Sequence, residues 1–142
     1  MTAYYALLSM PFIMGMVFTQ TENDSQVSDV YKVECRKPRN TSGCTAHNSK
    51  SYSAPTGHVI DDKSVRVQIK DGWNRGKRMD CTPELKDMRN VSTTLPNGRT
   101  LNITAPTTLI VTAHSESGSG PSNMGRTSFV ECEISFTTYD PD

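Results

Sequence analysis

Short stretches of alternating apolar and polar residues recur along the chain, separated by segments rich in Pro, Gly, Asn and Ser. The cleanest is Ser64–Lys70 (SVRVQIK), where Val65, Val67 and Ile69 share one side and Arg66, Gln68 and Lys70 the other. A period of two predicts a half-buried strand, ended here by Asp71-Gly72. Val30–Cys35 (VYKVEC), Arg99–Thr104, Thr108–His114 and Thr127–Tyr139 read as further strands. Residues 36–56 are rich in Pro, Asn, Ser and Gly and read as loop. Pro83–Met88 (PELKDM) is expected to form one helical turn, with Thr82 as N-cap and Pro83 at the first position. No segment predicts a long helix, and there is no repeat.

The front of the chain is different. Tyr4–Phe18 is a low-polarity run of about fifteen residues, which suits the core of a secretory signal and is short for a membrane span. Pro11 weakens the span further, although the basic residues usual before such a core are missing. Residues 1–19 are therefore expected to be a signal peptide, with a retained anchor or a buried first strand as the alternative. Residues 20–29 are polar and acidic and read as a flexible leader. Residues 30–142 then form one domain.

Composition narrows the class. The 142 residues carry 15 Lys+Arg and 15 Asp+Glu, a formal net charge of zero. That balance removes the usual sign of nonspecific binding to DNA or to anionic membranes, and is compatible with a small local RNA site. Behind the front segment the chain is poor in apolar residues, and a small core of that kind needs covalent help. Cys35, Cys44, Cys81 and Cys132 offer two disulfides in an exported protein, with three possible connectivities. Their spacing contains no C-x-x-C, and His47, His58 and His114 are scattered, so no metal or other cofactor is expected. Asn23, Asn40, Asn90 and Asn102 each begin an Asn-x-Ser/Thr sequon, again in keeping with a secreted glycoprotein.

One spacing suggests chemistry. If 99–104 and 108–114 form a hairpin turning at Pro106-Thr107, Arg99 lies opposite His114, with Cβ atoms about 5 Å apart. Two neighbouring cation-capable groups make sense around an anion such as a phosphate. Trp73, in Asp-Gly-Trp-Asn-Arg-Gly, reads as a turn residue folding back on the core, or as a partner anchor. The basic cluster 75–78 reads as a solvated loop, with a contact to phosphate as the alternative.

The surrounding sequence adds a resemblance. Leu109–Cys132 (LIVTAHSESGSGPSNMGRTSFVEC) resembles the C-terminal part of the guanyl-preferring microbial ribonucleases, and Leu95–Arg99 resembles their Pro-Gly turn leading into Arg. Tyr31–Cys35 is similar to a feature of ribonuclease-like fungal effectors. The resemblance implies a small α+β domain, mostly antiparallel β with little helix, tied by Cys35–Cys132 and Cys44–Cys81. An all-β sandwich is the alternative, and a Cys35–Cys44 bridge would favour it.

The resemblance also implies roles. His114 would be the general acid and Arg99 the phosphate clamp in a metal-independent transesterification giving 2′,3′-cyclic phosphates. Asp80 would be the base, Glu84 its substitute, and His58 the second His. The stretch Asp61–Ser64, at the family's base-recognition loop, has no aromatic to stack on a base. The expectation is therefore a secreted, monomeric effector that binds RNA or a host protein, with catalysis lost or weakened. An active endoribonuclease and an unrelated secreted β-sandwich binding or adhesion module remain the alternatives.

Overall fold

The alternating patterns become strand, and all but one of these strands run past the expected segments. The computed structural model describes residues 24–36, 43–74, 77–118 and 126–141. The order is β1 (Asp24–Arg36), β2 (Cys44–Ser53), β3 (Val59–Trp73), β4 (Met79–Thr94), β5 (Thr100–Ser117) and β6 (Thr127–Tyr139). They form two three-stranded sheets, β1-β6-β3 and β2-β5-β4, with every neighbouring pair antiparallel. There is no helix among the described residues. The protein is an all-β sandwich, which corrects the α+β expectation and fits its alternative.

Each sheet buries the middle of its central strand. On β6 the even positions Val130, Cys132, Ile134 and Phe136 are buried, and on β5 the odd positions Leu109, Val111 and Ala113. The two sets meet in one core with Val33, Ala46 and Ile60. A fully buried Leu or Phe contributes about 1.5–3 kcal/mol relative to exposure.

Several expectations are overturned, each for a local reason. Residues 83–88 are strand, paired with β5 from Pro83↔Val111 to Met88↔Pro106. The capping pattern loses to this ladder, and Pro83 is tolerated because β4 is an edge strand. The predicted 99–104/108–114 hairpin is one continuous strand. Pro106 does not break it, because β2 ends at Ser53 opposite Thr108 and β5 has only β4 beside it there. Residues 44–53, read as loop, are β2, and residues 24–29, read as leader, belong to β1. Asp71-Gly72 marks a register shift rather than a strand end. Only Thr127–Tyr139 keeps its expected bounds. The signal segment 1–19 lies outside the described residues.

The disulfides are Cys35–Cys44, joining β1 to β2, and Cys81–Cys132, joining β4 to β6. Each links one sheet to the other. The expected Cys35–Cys132 pair is excluded by register. Cys35 lies opposite Ser128, four residues from Cys132 along β6, or about 13 Å, beyond the reach of a disulfide.

At the β1–β2 edge the sandwich is closed by polar groups. Lys50 Nζ and Tyr52 Oη each donate to Asp29 Oδ2 at 2.6 Å. Tyr31 Oη donates to the carbonyl of Val111 on the other sheet at 2.8 Å. The bonds from Lys50 and then Tyr52 hold the Asp29 carboxyl below the usual carboxylate range. Burial, reinforced by Asp29, pushes the Tyr52 hydroxyl well above its usual value.

Past the end of β2, β4 and β5 continue as a two-stranded arm. Its root is fixed at Asp87, which holds a left-handed φ of 57°. Thr107 Oγ1 donates to the Asp87 carbonyl and Thr108 Oγ1 to its carboxylate, at 2.8 and 2.9 Å. Val91 and Ala105 bury the lower arm against Val59 and Tyr139. The tip is the turn at Pro96-Asn97, closed by Gly98 N–H to the Leu95 carbonyl at 2.9 Å. Gly98 has φ 82°, a conformation that favours glycine there.

Candidate functional site

Neighbouring strands in register place side chains in rows across a sheet. On the outer face of β2-β5-β4 one row reads His47, His114, Asp80, since His114 is opposite His47 on β2 and Asp80 on β4. The rings of His47 and His114 meet edge to face, 5.7 Å between centroids. The next row reads Ser49, Thr112, Thr82. Ser49 and Thr112 share a hydroxyl hydrogen bond of 2.8 Å, and Thr82 Oγ1 bonds the Thr112 carbonyl at 3.3 Å.

Charges frame the histidine row. Arg78 Nε donates to Asp80 Oδ2, and Glu116 Oε1 lies 3.6 Å from His114 Nε2. Asp80 Oδ1 and His114 Nε2 are nevertheless buried without a hydrogen bond. The Asp80 side chain is 29% exposed and that of His114 14%. A buried polar atom left unpaired costs about 1–3 kcal/mol. These two unpaired atoms, on facing residues, make the row the strongest candidate site on the sandwich. Among the described residues no group of His, Cys, Asp and Glu is arranged to hold a metal ion.

Of the residues singled out in the sequence, the fold unites His114 and Asp80. Glu84 is on the same outer face but two rows away, beside Ile110 and exposed. Arg99 precedes β5 and lies fifteen residues before His114, about 50 Å along an extended strand. It cannot clamp a phosphate held by His114; the neighbouring guanidinium is that of Arg78. His58 belongs to the β2–β3 connection, where its Nδ1 lies 3.3 Å from the Thr56 carbonyl. That connection leaves β2 six residues after His47, about 20 Å along the strand. The histidine beside His114 is His47, in a segment whose composition reads as loop. Its signal is Cys44–Ser53, where Ala46 and Tyr52 share the inward-facing positions and His47 falls outward.

Asn90 and Asn102 are exposed on the arm, while Asn23 and Asn40 lie outside the described residues. Trp73 ends β3, with the Arg126 guanidinium 4.5 Å over its ring; Arg75 and Gly76 of the basic cluster lie outside the described residues. On the other sheet, a shallow groove of about 410 Å³ is lined by Ser28, Arg66, Gln68 and Glu133 among others. Its long polar side chains are already engaged: Gln68 donates to Glu133 at 2.8 Å, and Arg66 to the Lys63 and Val65 carbonyls. Comparison with protein-family models, curated proteins and solved structures finds no match to this chain.

Proposed function

We propose that the chain is a disulfide-tied recognition module that binds a polar protein surface through the outer face of β2-β5-β4. The observation that carries this reading is the His47–His114–Asp80 row, with the exposed side chains of His47, Ser49 and Thr82 presented on its face. Seryl and threonyl hydroxyls continue the row along the face. The two inter-sheet disulfides fit a protein of an oxidising, extracellular setting.

The internal engagement of the row favours binding over catalysis. A general acid must present its nitrogen to the leaving group. His114 Nε2 is instead closed from solvent beside Glu116, and Asp80 is held by Arg78. One observation supports a second reading, metal-independent RNA cleavage: a carboxylate, two imidazoles and a guanidinium share one patch.

The readings separate in two measurements. Oxidised protein incubated with a short guanosine-containing RNA without metal should give no 2′,3′-cyclic phosphate. Product that disappears in His114→Ala would establish the second reading. A photo-crosslinking residue at Ser49 should capture a protein from the extracellular fluid, and one at Gln68 on the opposite sheet should not. Equal capture at both positions would sink the binding face.

A further inference from the structure

The sequons at Asn90 and Asn102 interlock on the arm. Asn90 lies opposite Thr104, and Ser92 opposite Asn102. The asparagine of each sequon therefore faces the hydroxyl of the other. Thr104 Oγ1 donates to Asn90 Oδ1 at 3.2 Å, and Ser92 Oγ donates to Asn102 Oδ1 at 2.7 Å. Residues directly opposed, and residues two apart on a strand, share a face. All four groups thus occupy one face of the arm, with Val91, Leu101 and Ile103 on the other. Asn90 and Asn102 are exposed and sit diagonally, about 7 Å apart.

In both asparagines the amide oxygen is the atom held across the arm. The amide nitrogen, the atom that carries the sugar in an N-glycan, takes no part in these bonds. A glycosylated asparagine keeps its amide oxygen, so both hydroxyl bonds survive modification. The geometry treats this pair differently from a sequon in a loop, where nothing fixes the carboxamide.

We propose that Asn90 and Asn102 form a paired N-glycan site, occupied on the same molecule, whose two glycans are set side by side on one face of the arm by the reciprocal hydroxyl-to-amide bonds. The donor is a polyprenyl-diphosphate-linked oligosaccharide of the secretory pathway. The amide nitrogen attacks the anomeric carbon and a C–N bond forms. The C–O bond to the diphosphate breaks, the polyprenyl diphosphate leaves, and the amide proton passes to a base of the transferase. Transfer takes place on the open chain. Once the arm closes, both sequon hydroxyls are engaged and both strands are held in the ladder. The site thus depends on export and not on the recognition face.

The test is secretion of the full chain, behind a host leader, from a eukaryotic cell. Enzymatic deglycosylation in ¹⁸O water marks every occupied asparagine as aspartate for peptide mapping. Intact mass of a second variant, Asn23→Gln/Asn40→Gln, counts the glycans contributed by the pair alone. The expected result is two glycans on one molecule and label at both Asn90 and Asn102. A maximum of one glycan on the pair, or none on secreted protein, overturns the proposal. Unglycosylated protein, folded and oxidised before exposure to transferase and donor, should remain unmodified. Modification as efficient as that of the unfolded chain overturns the order of events.

Discussion

His47 and His114 stand directly opposite each other on the outer face of β2-β5-β4, edge to face at 5.7 Å between ring centroids. Yet the two imidazoles differ in setting: His47 is exposed, while the His114 side chain is only 14% exposed and lies beside Glu116. His47→Ala should change stability by no more than about 0.5 kcal/mol, and His114→Ala should cost about 1 kcal/mol. Urea melts of the two variants check this. Both substitutions should weaken partner capture at Ser49, which separates a binding role from a folding one.

Asp29 predicts an acid-sensitive edge. Its carboxyl is depressed in the folded protein, first by the Lys50 hydrogen bond and then by that of Tyr52. A depressed carboxyl contributes stability that is present above its unfolded value and lost as pH falls through the folded one. Stability should therefore decline below about pH 4, the ordinary Asp range. Asp29→Asn should flatten that decline and cost no more than about 1 kcal/mol at neutral pH, given how exposed Lys50 is. Denaturant midpoints between pH 2 and 7 measure both effects.

The disulfides are expected to differ in weight. Cys81–Cys132 spans a sequence separation of 51 residues and Cys35–Cys44 one of 9. In the chain-entropy account, removing the longer loop costs about 4 kcal/mol and the shorter about 2.5 kcal/mol. Calorimetry of Cys81→Ala/Cys132→Ala against Cys35→Ala/Cys44→Ala should give that order. The reverse order would show that the unfolded chain is not the main source of the stabilisation.

Ser115 and Ser128 offer a stabilising route. Both are fully buried, and neither hydroxyl has a hydrogen-bond partner. Alanine removes the unpaired group and leaves the packing nearly unchanged. Ser115→Ala and Ser128→Ala should each be neutral or raise stability by up to about 1 kcal/mol. Thermal melts that fall by several degrees would contradict this.

Gly43 carries a prediction of the opposite sign. An added Cβ would lie 2.2 Å from the Ser117 carbonyl oxygen, a backbone atom with little freedom to give. Gly43→Ala should force the entry of β2 away from β5 and cost about 1–3 kcal/mol. The same melts would detect it.

Much of the fold was legible where burial alternates cleanly. Thr127–Tyr139 is the central strand of its sheet, flanked on both sides, and its pattern holds from end to end. The edge strands were harder. Cys44–Ser53 carries a mostly exposed, Ser-rich surface and buries few of its residues, so its composition imitates a loop. Pro83 and Pro106 imitate a helix start and a turn, because sequence alone does not say which strands lack a neighbour. The site was legible in part for the same reason. His114 and Asp80 are both named by the resemblance, and strand register sets them opposite each other. His47 was hidden by the misread strand, and Arg99 was misplaced by a hairpin whose turn lies elsewhere, at Pro96-Asn97.

Asp24 and Tyr139 are paired at one end of β1 and β6. A pull on the chain segments flanking them loads the β1–β6 ladder one rung at a time, as a zipper, rather than shearing all its rungs at once. The first rungs should part at low force. Opening then meets Cys132 opposite Tyr31, where β6 is bonded to Cys81 of the other sheet, and further along meets Cys35, bonded to Cys44. The oxidised molecule is therefore a short mechanical fuse backed by two covalent stops, and reduction removes the stops.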